Sequence, residues 1–172
     1  NVNWRQAKVY CEEKSSYLAA ITSQEENEEV AKLLNNYGRA AYIGGVRRDT
    51  ESFRWVVASG EEFTYSNWRS GEPNFHNHGT CQIRDPYGEY GKENYIGMYE
   101  DGTWNDYMIF SSAVNAFVME SERTSLQVSS PTNIIYKVGD KFDKNSIVVE
   151  AGFSDGSKRR VTDYTVSGFN PH

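Results

Sequence analysis

Apolar positions in the first third of the chain recur with a helical period. Trp4, Ala7 and Cys11 in "NWRQAKVYCEEK" stand at i, i+3 and i+7 and predict a helix over residues 3–14. The short apolar run "LAAIT" (18–22) predicts a strand or turn after it. In "SQEENEEVAKLLNNYG", Ser23 with Glu26 reads as a capping box, and acids fill the first turn, where the helix dipole favours them. Val30, Leu33, Leu34 and Tyr37 are expected to form the buried stripe of this second helix, with Gly38 as its stop. From residue 40 the period changes. "AAYIGGV" (40–46) and "SFRWVVASGEEFTYSNW" (52–68) alternate or run apolar as strands do, and "AVNAFVMES" (113–121) predicts a closing strand. Residues 69–107 are rich in Gly, Asn, Pro, Asp and Tyr with little periodicity, which inside a compact domain marks a functional or a disordered stretch. The aromatic anchors Trp68, Tyr87, Tyr95, Tyr99 and Trp104 favour an ordered, functional loop region.

Residues 125–172 carry no helical stripe. Strands are predicted at 126–129, 134–138, 147–153 and 159–166, with turns at "VGD", "SDGS" and "SGFN", the pattern of an all-β sandwich. Immunoglobulin-type sandwiches run to about 100 residues, so a partial or small variant is expected here. The predicted organisation is two domains, 1–122 and 123–172.

Composition narrows the partners. The net charge of -6 conceals an asymmetry, with 11 basic against 19 acidic residues in 1–122 and 7 against 5 in the remainder. An acidic first domain lacks the basic face that phosphate backbones require, which argues against nucleic acid. No apolar run approaches the roughly 18–20 residues of a membrane helix, so membrane insertion is not expected. The abrupt start at "NVNWRQA" carries no signal peptide and reads as a fragment. Two cysteines, Cys11 and Cys81, are too few for a disulfide framework; one bridge between them and two free buried thiols both remain open.

Candidate chemistry concentrates at Glu72, Pro73 and Asn74 and at "WND" (104–106). Together they offer two carboxylates and two amide carbonyls, the oxygen donors that a hard cation such as Ca²⁺ takes in sets of 6–8. Four groups leave positions for water or for the vicinal diol of a sugar. A sugar hydroxyl both donates and accepts, so a Glu–Pro–Asn triplet offers it one acceptor and one donor. A cis Glu72–Pro73 bond would turn both side chains to the same side, and proline is the residue that makes that form accessible. Each motif alone also reads as an ordinary turn or a buried Trp.

In combination with their flanks these motifs resemble a known family. Trp4, Ala7 and Cys11, "LAAITSQEENEEV", "YIGG" (42–45), Phe53 and Trp55, "SNWRSGEPN" (66–74), Cys81, "WND" and "FVME" (117–120) follow the order of the C-type lectin-like domain. The resemblance covers residues 3 to about 121 and looks like its mannose-type subset, EPN as opposed to QPD. It implies an α+β fold with two helices, small antiparallel sheets and a long loop region. It also implies a non-enzymatic carbohydrate site, with Glu72, Asn74, Asn105 and Asp106 as ligands of both Ca²⁺ and the sugar. The glycans implied are of mannose, glucose, GlcNAc or fucose type.

The departures from the pattern are specific. The family supplies a further glutamate two residues before its second loop cysteine; with Cys81 as that cysteine, Gly79 stands in its place. Asn77 and Glu100, or else Asp85, Glu89, Glu93 or Asp101, are candidates to replace it. The family's bridges are also lost. Met119 stands for the expected partner of Cys11, and Ile109 or Phe110 for that of Cys81. His76 and His78 suit zinc better than calcium, and solvated loop histidines are the simpler reading. Asp49 and Glu51 point to a second calcium or to plain surface acids. The tail, with "YKVGDKFD", "GFSDGS" and "YTVSGF", resembles a bacterial immunoglobulin-like domain, which implies a spacer in a secreted or cell-surface protein of Gram-positive type. The function expected is a calcium-dependent lectin module for adhesion or enzyme targeting; the alternative is a calcium-independent, protein-binding adhesin of the same fold. Glu72 and Asp106 could be pictured as a glycosidase pair, but no further nucleophile or base accompanies them.

Overall fold

The computed structural model describes all residues except 1, 39, 48–54, 80–90, 130–136, 138–139, 142, 144–145, 164 and 166–172. The chain divides into two compact units, Asn1–Glu120 and Ser121–His172.

In the first unit, α1 spans Trp4–Glu13 and opens on a complete capping box, with Gln6 N–H donating to Asn3 Oδ1 and Asn3 N–H to Gln6 Oε1. Its buried residues are Trp4, Ala7 and Cys11, as the period predicts. The Trp4 indole N–H reaches the Ile43 carbonyl at 2.9 Å, tying the helix to the sheet. β1 (Tyr17–Leu18) leads into α2 (Gln24–Asn35), and Gly38 at φ +62° ends it.

The α2 expectations need correction. Ser23 Oγ does accept from Glu26 N–H, but the Glu26 carboxylate reaches Thr22 N–H and Oγ1 and leaves the box half made. Its buried residues are Asn27 and Leu34, whereas Leu33 is 59% and Tyr37 73% exposed. The reason is Asn27. Its side chain donates to the Gly102 carbonyl and accepts from the Trp104 indole N–H, so the inward face of α2 is turned toward a polar lock.

The central sheet runs β3 (Trp55–Val57), β2 (Ala40–Arg47), β4 (Tyr95–Met98) and β5 (Trp104–Tyr107), all antiparallel, and β6 (Val114–Phe117) adds to β2 in parallel. All eight residues of β2 are buried. "YIGG" allows this: a Cβ on Gly44 would sit 2.7 Å from the Leu18 carbonyl oxygen, and one on Gly45 would sit 2.2 Å from Ile96 Cδ1. The expected closing strand is split, with β7 (Met119–Glu120) leaving β6 to pair with β1. Of the run expected as strand over 52–68, the described residues are strand only over Trp55–Val57, with an isolated bridge from Trp68 to Trp104. Two apolar clusters flank the sheet, one around Trp4, Tyr42, Tyr95 and Tyr107, the other around Leu34, Ile96, Met98 and Trp104.

In the second unit β8 (Arg123–Val128), β9 (Val149–Phe153) and β10 (Lys158–Arg160) make one antiparallel sheet in the order β10-β9-β8. The "SDGS" turn is present, with Gly156 at φ +81° and Ser157 N–H on Asp155 Oδ1. Among the described residues there is one sheet and not the two packed layers of a sandwich, and β8 is exposed at all six positions. The predicted strand at 134–138 falls almost wholly outside the described residues.

Candidate functional site

The β4–β5 hairpin has two ends. Its turn carries Glu100 and Asp101; its open end carries Glu93 just before β4 and Asp106 within β5, opposite Ile96. The loop that follows Trp68 runs across this open end. It leaves the turn end, where Arg69 N–H donates to the carbonyl of Trp104, the partner of Met98, and turns back through Glu72 N–H to the Arg69 carbonyl. The Glu72–Pro73 bond is cis.

The loop's amides then meet the hairpin's acids one after another. Asn74 N–H donates to Glu72 Oε2 at 3.1 Å and to Asp106 Oδ1 at 3.2 Å, and Phe75 N–H donates to Asp106 Oδ2 at 2.9 Å. His76 N–H is shared between Asn74 Oδ1 at 2.9 Å and Glu93 Oε2 at 3.1 Å. His78 Nε2 lies 2.8 Å from Glu93 Oε1. Asp106 is fully buried and Glu93 nearly so. Glu72, Asn74 and Asp106, predicted from sequence, are thus brought together, and Glu93 completes the group. Burial first, then the Asp106 carboxylate and more weakly that of Glu93, raise the Glu72 carboxyl above its ordinary range. A carboxyl pushed up by two neighbouring acids is an arrangement that a dication would relieve.

Glu93 lies two residues before Tyr95, so the spacing that the resemblance expects between the further glutamate and a loop cysteine recurs here with Tyr95 in the cysteine's place. Tyr95 and Ile109 belong to one core cluster. Burying two such side chains contributes about 1.5–3 kcal/mol each, comparable with the roughly 2–4 kcal/mol of a bridge. Cys11 is a free, buried thiol, and burial pushes it up to about 11.

The proposed extra ligands Asn77 and Glu100 do not join the acids. Asn77 is exposed and bridges to Lys92, while Glu100 lies at the hairpin turn near Gly38. Asp101, also at that turn, accepts from Thr103 N–H and Oγ1. Asp49, Glu51, Cys81, Asp85 and Glu89 lie outside the described residues. The His76 and His78 rings stand edge to face at 4.5 Å.

Asn105 precedes Asp106 on β5, opposite Gly97. Its carbonyl oxygen is buried and has no hydrogen-bond partner. A buried acceptor without a partner is what a hard cation satisfies. Among the described residues no three His, Cys, Asp or Glu side chains form a preassembled metal cluster, and the bonds above give the reason: the acids' oxygens face loop amides. Each carboxylate keeps further lone pairs, so the donor set of Glu72, Asn74, Glu93, Asn105 and Asp106 fits Ca²⁺ in charge and chemistry.

Sequence reasoning missed Arg47, Phe75 and Asn94. Arg47 is 3% exposed at the end of β2, and its guanidinium grips Asn94 Oδ1 and lies over the Phe75 ring. A charged residue ending an otherwise apolar strand was the available signal.

Comparison with known proteins bears on this geometry. The family model described as "Lectin C-type domain" matches residues 1–118. Pulmonary surfactant-associated protein D of Sus scrofa is 30% identical over 103 residues, covering 60% of this chain and 24% of that protein, so the chain spans about a quarter of this relative's length. The carbohydrate-recognition domain of the mouse scavenger receptor C-type lectin superposes with a TM-score of 0.57 at 30% identity, over 71% of this chain and 84% of that one. The cow C-type carbohydrate-recognition domain of CD23, solved in the presence of a GlcNAc2Man3 oligosaccharide, gives 0.50 at 27% identity, over 69% and 76%.

Proposed function

Because the chain belongs to the C-type lectin domain family, we propose that its 72–76 loop and the open end of the β4–β5 hairpin form a calcium-dependent carbohydrate site. The observation that carries this reading is the meeting of Glu72, Asp106 and Glu93 with the successive amides of Asn74, Phe75 and His76. Glu72, Asn74, Glu93, Asn105 and Asp106 would hold the ion. Bound Ca²⁺ would supply a centre to which two vicinal sugar hydroxyls coordinate. The Glu72 carboxylate would accept from one such hydroxyl and the Asn74 amide would donate to it, and the resemblance of the EPN triplet to the mannose-type subset supports glycans of mannose, glucose, GlcNAc or fucose type. The site is a binding site and not a catalytic one. The tail's likeness to bacterial immunoglobulin-like domains supports a spacer role, and with it an exported or cell-surface protein of Gram-positive type that uses the module for adhesion or enzyme targeting.

A glycan array read with calcium and with chelator tests the proposal. Binding to mannose-type glycans that chelator abolishes is expected; equal signal in both conditions sinks it. A second reading, a calcium-independent protein-binding module, is favoured by one observation: the loop amides already engage Asp106 and Glu93. Calorimetry with Ca²⁺ separates the two, since this reading requires no heat of calcium binding.

A further inference from the structure

We propose that Arg47 is a positioning residue that holds the 74–76 loop in its ligand-presenting arrangement before any cation arrives. Two walls of the site meet at this side chain. On the hairpin side, Arg47 N–H donates to the Asn94 carbonyl at 2.8 Å, and its Nε and a terminal nitrogen converge on Asn94 Oδ1. Asn94, 1% exposed, is pinned in turn by its own N–H to the Tyr107 carbonyl. The next residue toward the N-terminus is Glu93, which receives His76 N–H.

On the loop side, the same guanidinium lies 4.8 Å from the centroid of the Phe75 ring, a cation–π contact. Trp55, the cross-strand partner of Arg47, stacks on Phe75 at 6.1 Å with an interplanar angle of 21°. Phe75 adopts φ +54°, a left-handed conformation that a bulky residue rarely takes unless its surroundings hold it there. In that conformation its N–H points to Asp106. One buried cation therefore fixes the residue beside Glu93 and the ring beside Asn74. The planar fork matters, because one edge bonds the amide oxygen while the face meets the ring, which an ammonium cannot do.

The consequence is a loop that calcium fills without having to fold. The proposal rests on the reading of this loop as the ligand site, yet its first readout is made on calcium-free protein. Backbone amide exchange of the whole chain in chelator is measured by NMR for wild type, Arg47→Lys and Phe75→Leu. The wild-type amides of Asn74, Phe75 and His76 are expected to be protected. Both variants should lose protection there by about tenfold or more, with the Ile96 and Tyr107 amides unchanged. Calcium titration followed by tryptophan fluorescence should show about tenfold weaker binding in both variants. Unprotected amides in calcium-free wild type, or equal protection in the variants, would overturn the proposal. Should Arg47→Lys lose its near-ultraviolet circular dichroism, Phe75→Leu decides. If wild type shows the protection but binds no calcium, the lectin reading fails and the positioning role stands.

Discussion

Glu72 is where charge and the proposed calcium ligation are most tightly linked. Its carboxyl is raised in the folded protein by burial and by the Asp106 and Glu93 carboxylates. The calcium-free fold therefore binds a proton there more readily than the unfolded chain does. Its stability should rise as pH falls through that raised range and be lowest above it. Calcium needs the ionised form, so its affinity should fall over the same window. Glu72→Gln removes the repulsion and a ligand together. Thermal melts in chelator should show a small gain in Tm, and calcium titration a loss of affinity of at least about tenfold. Cys11 is shifted in the same direction, with a different consequence. With its thiol pushed up to about 11 by burial, almost no thiolate exists at neutral pH. In a Cys81→Ser variant, Cys11 should resist Ellman's reagent until denaturant is added.

Among the elements, α2 shows how a local pattern is overruled. Its caps and acidic first turn are legible because they are decided by near neighbours. Its buried face is legible only in part: Leu34 is buried and Val30 packs on the core as the spacing predicts, but Asn27 also turns inward, accepting from the indole of Trp104, 77 residues away, and donating to the Gly102 carbonyl. Leu33 and Tyr37 stay exposed although the apolar spacing assigns them to the stripe. Asn27→Ala strands the buried Trp104 indole N–H, while the Gly102 carbonyl keeps its bond from Asn67 Nδ2, and should cost about 1–3 kcal/mol in urea denaturation, with no change in the m-value. An Asn27→Ala variant as stable as wild type would show that the lock is incidental. The β4–β5 hairpin is the complementary case. "WND" is readable as a motif, but its pairing with the segment after Glu93 is a register, and a register is set across strands.

For the whole molecule, the site draws only on the first unit. Residues 1–122 expressed alone should keep full calcium and glycan binding, measured by calorimetry, because every residue named in the site lies between Arg47 and Asp106. A loss on removing 123–172 would mean that the second unit contributes to binding. The sequence by itself determined the helix positions, the buried "YIGG" strand, the family resemblance and the candidate triplet of Glu72, Pro73 and Asn74. Each depends on period, caps or contiguous motif, which act over a few residues. Only the tertiary structure decided that Glu93 is the acid placed beside this loop. Along the chain Glu93 is one acid among several beyond Asn74, and nothing local distinguishes it from Asp85, Glu89 or Glu100. It joins the site because β4 pairs with β5 in the register Tyr95 to Tyr107, which sets Glu93 at the open end beside Asp106. Arg47 stayed hidden for the same reason: its partners, Phe75 and Asn94, are distant in sequence and meet it only when the sheet is assembled.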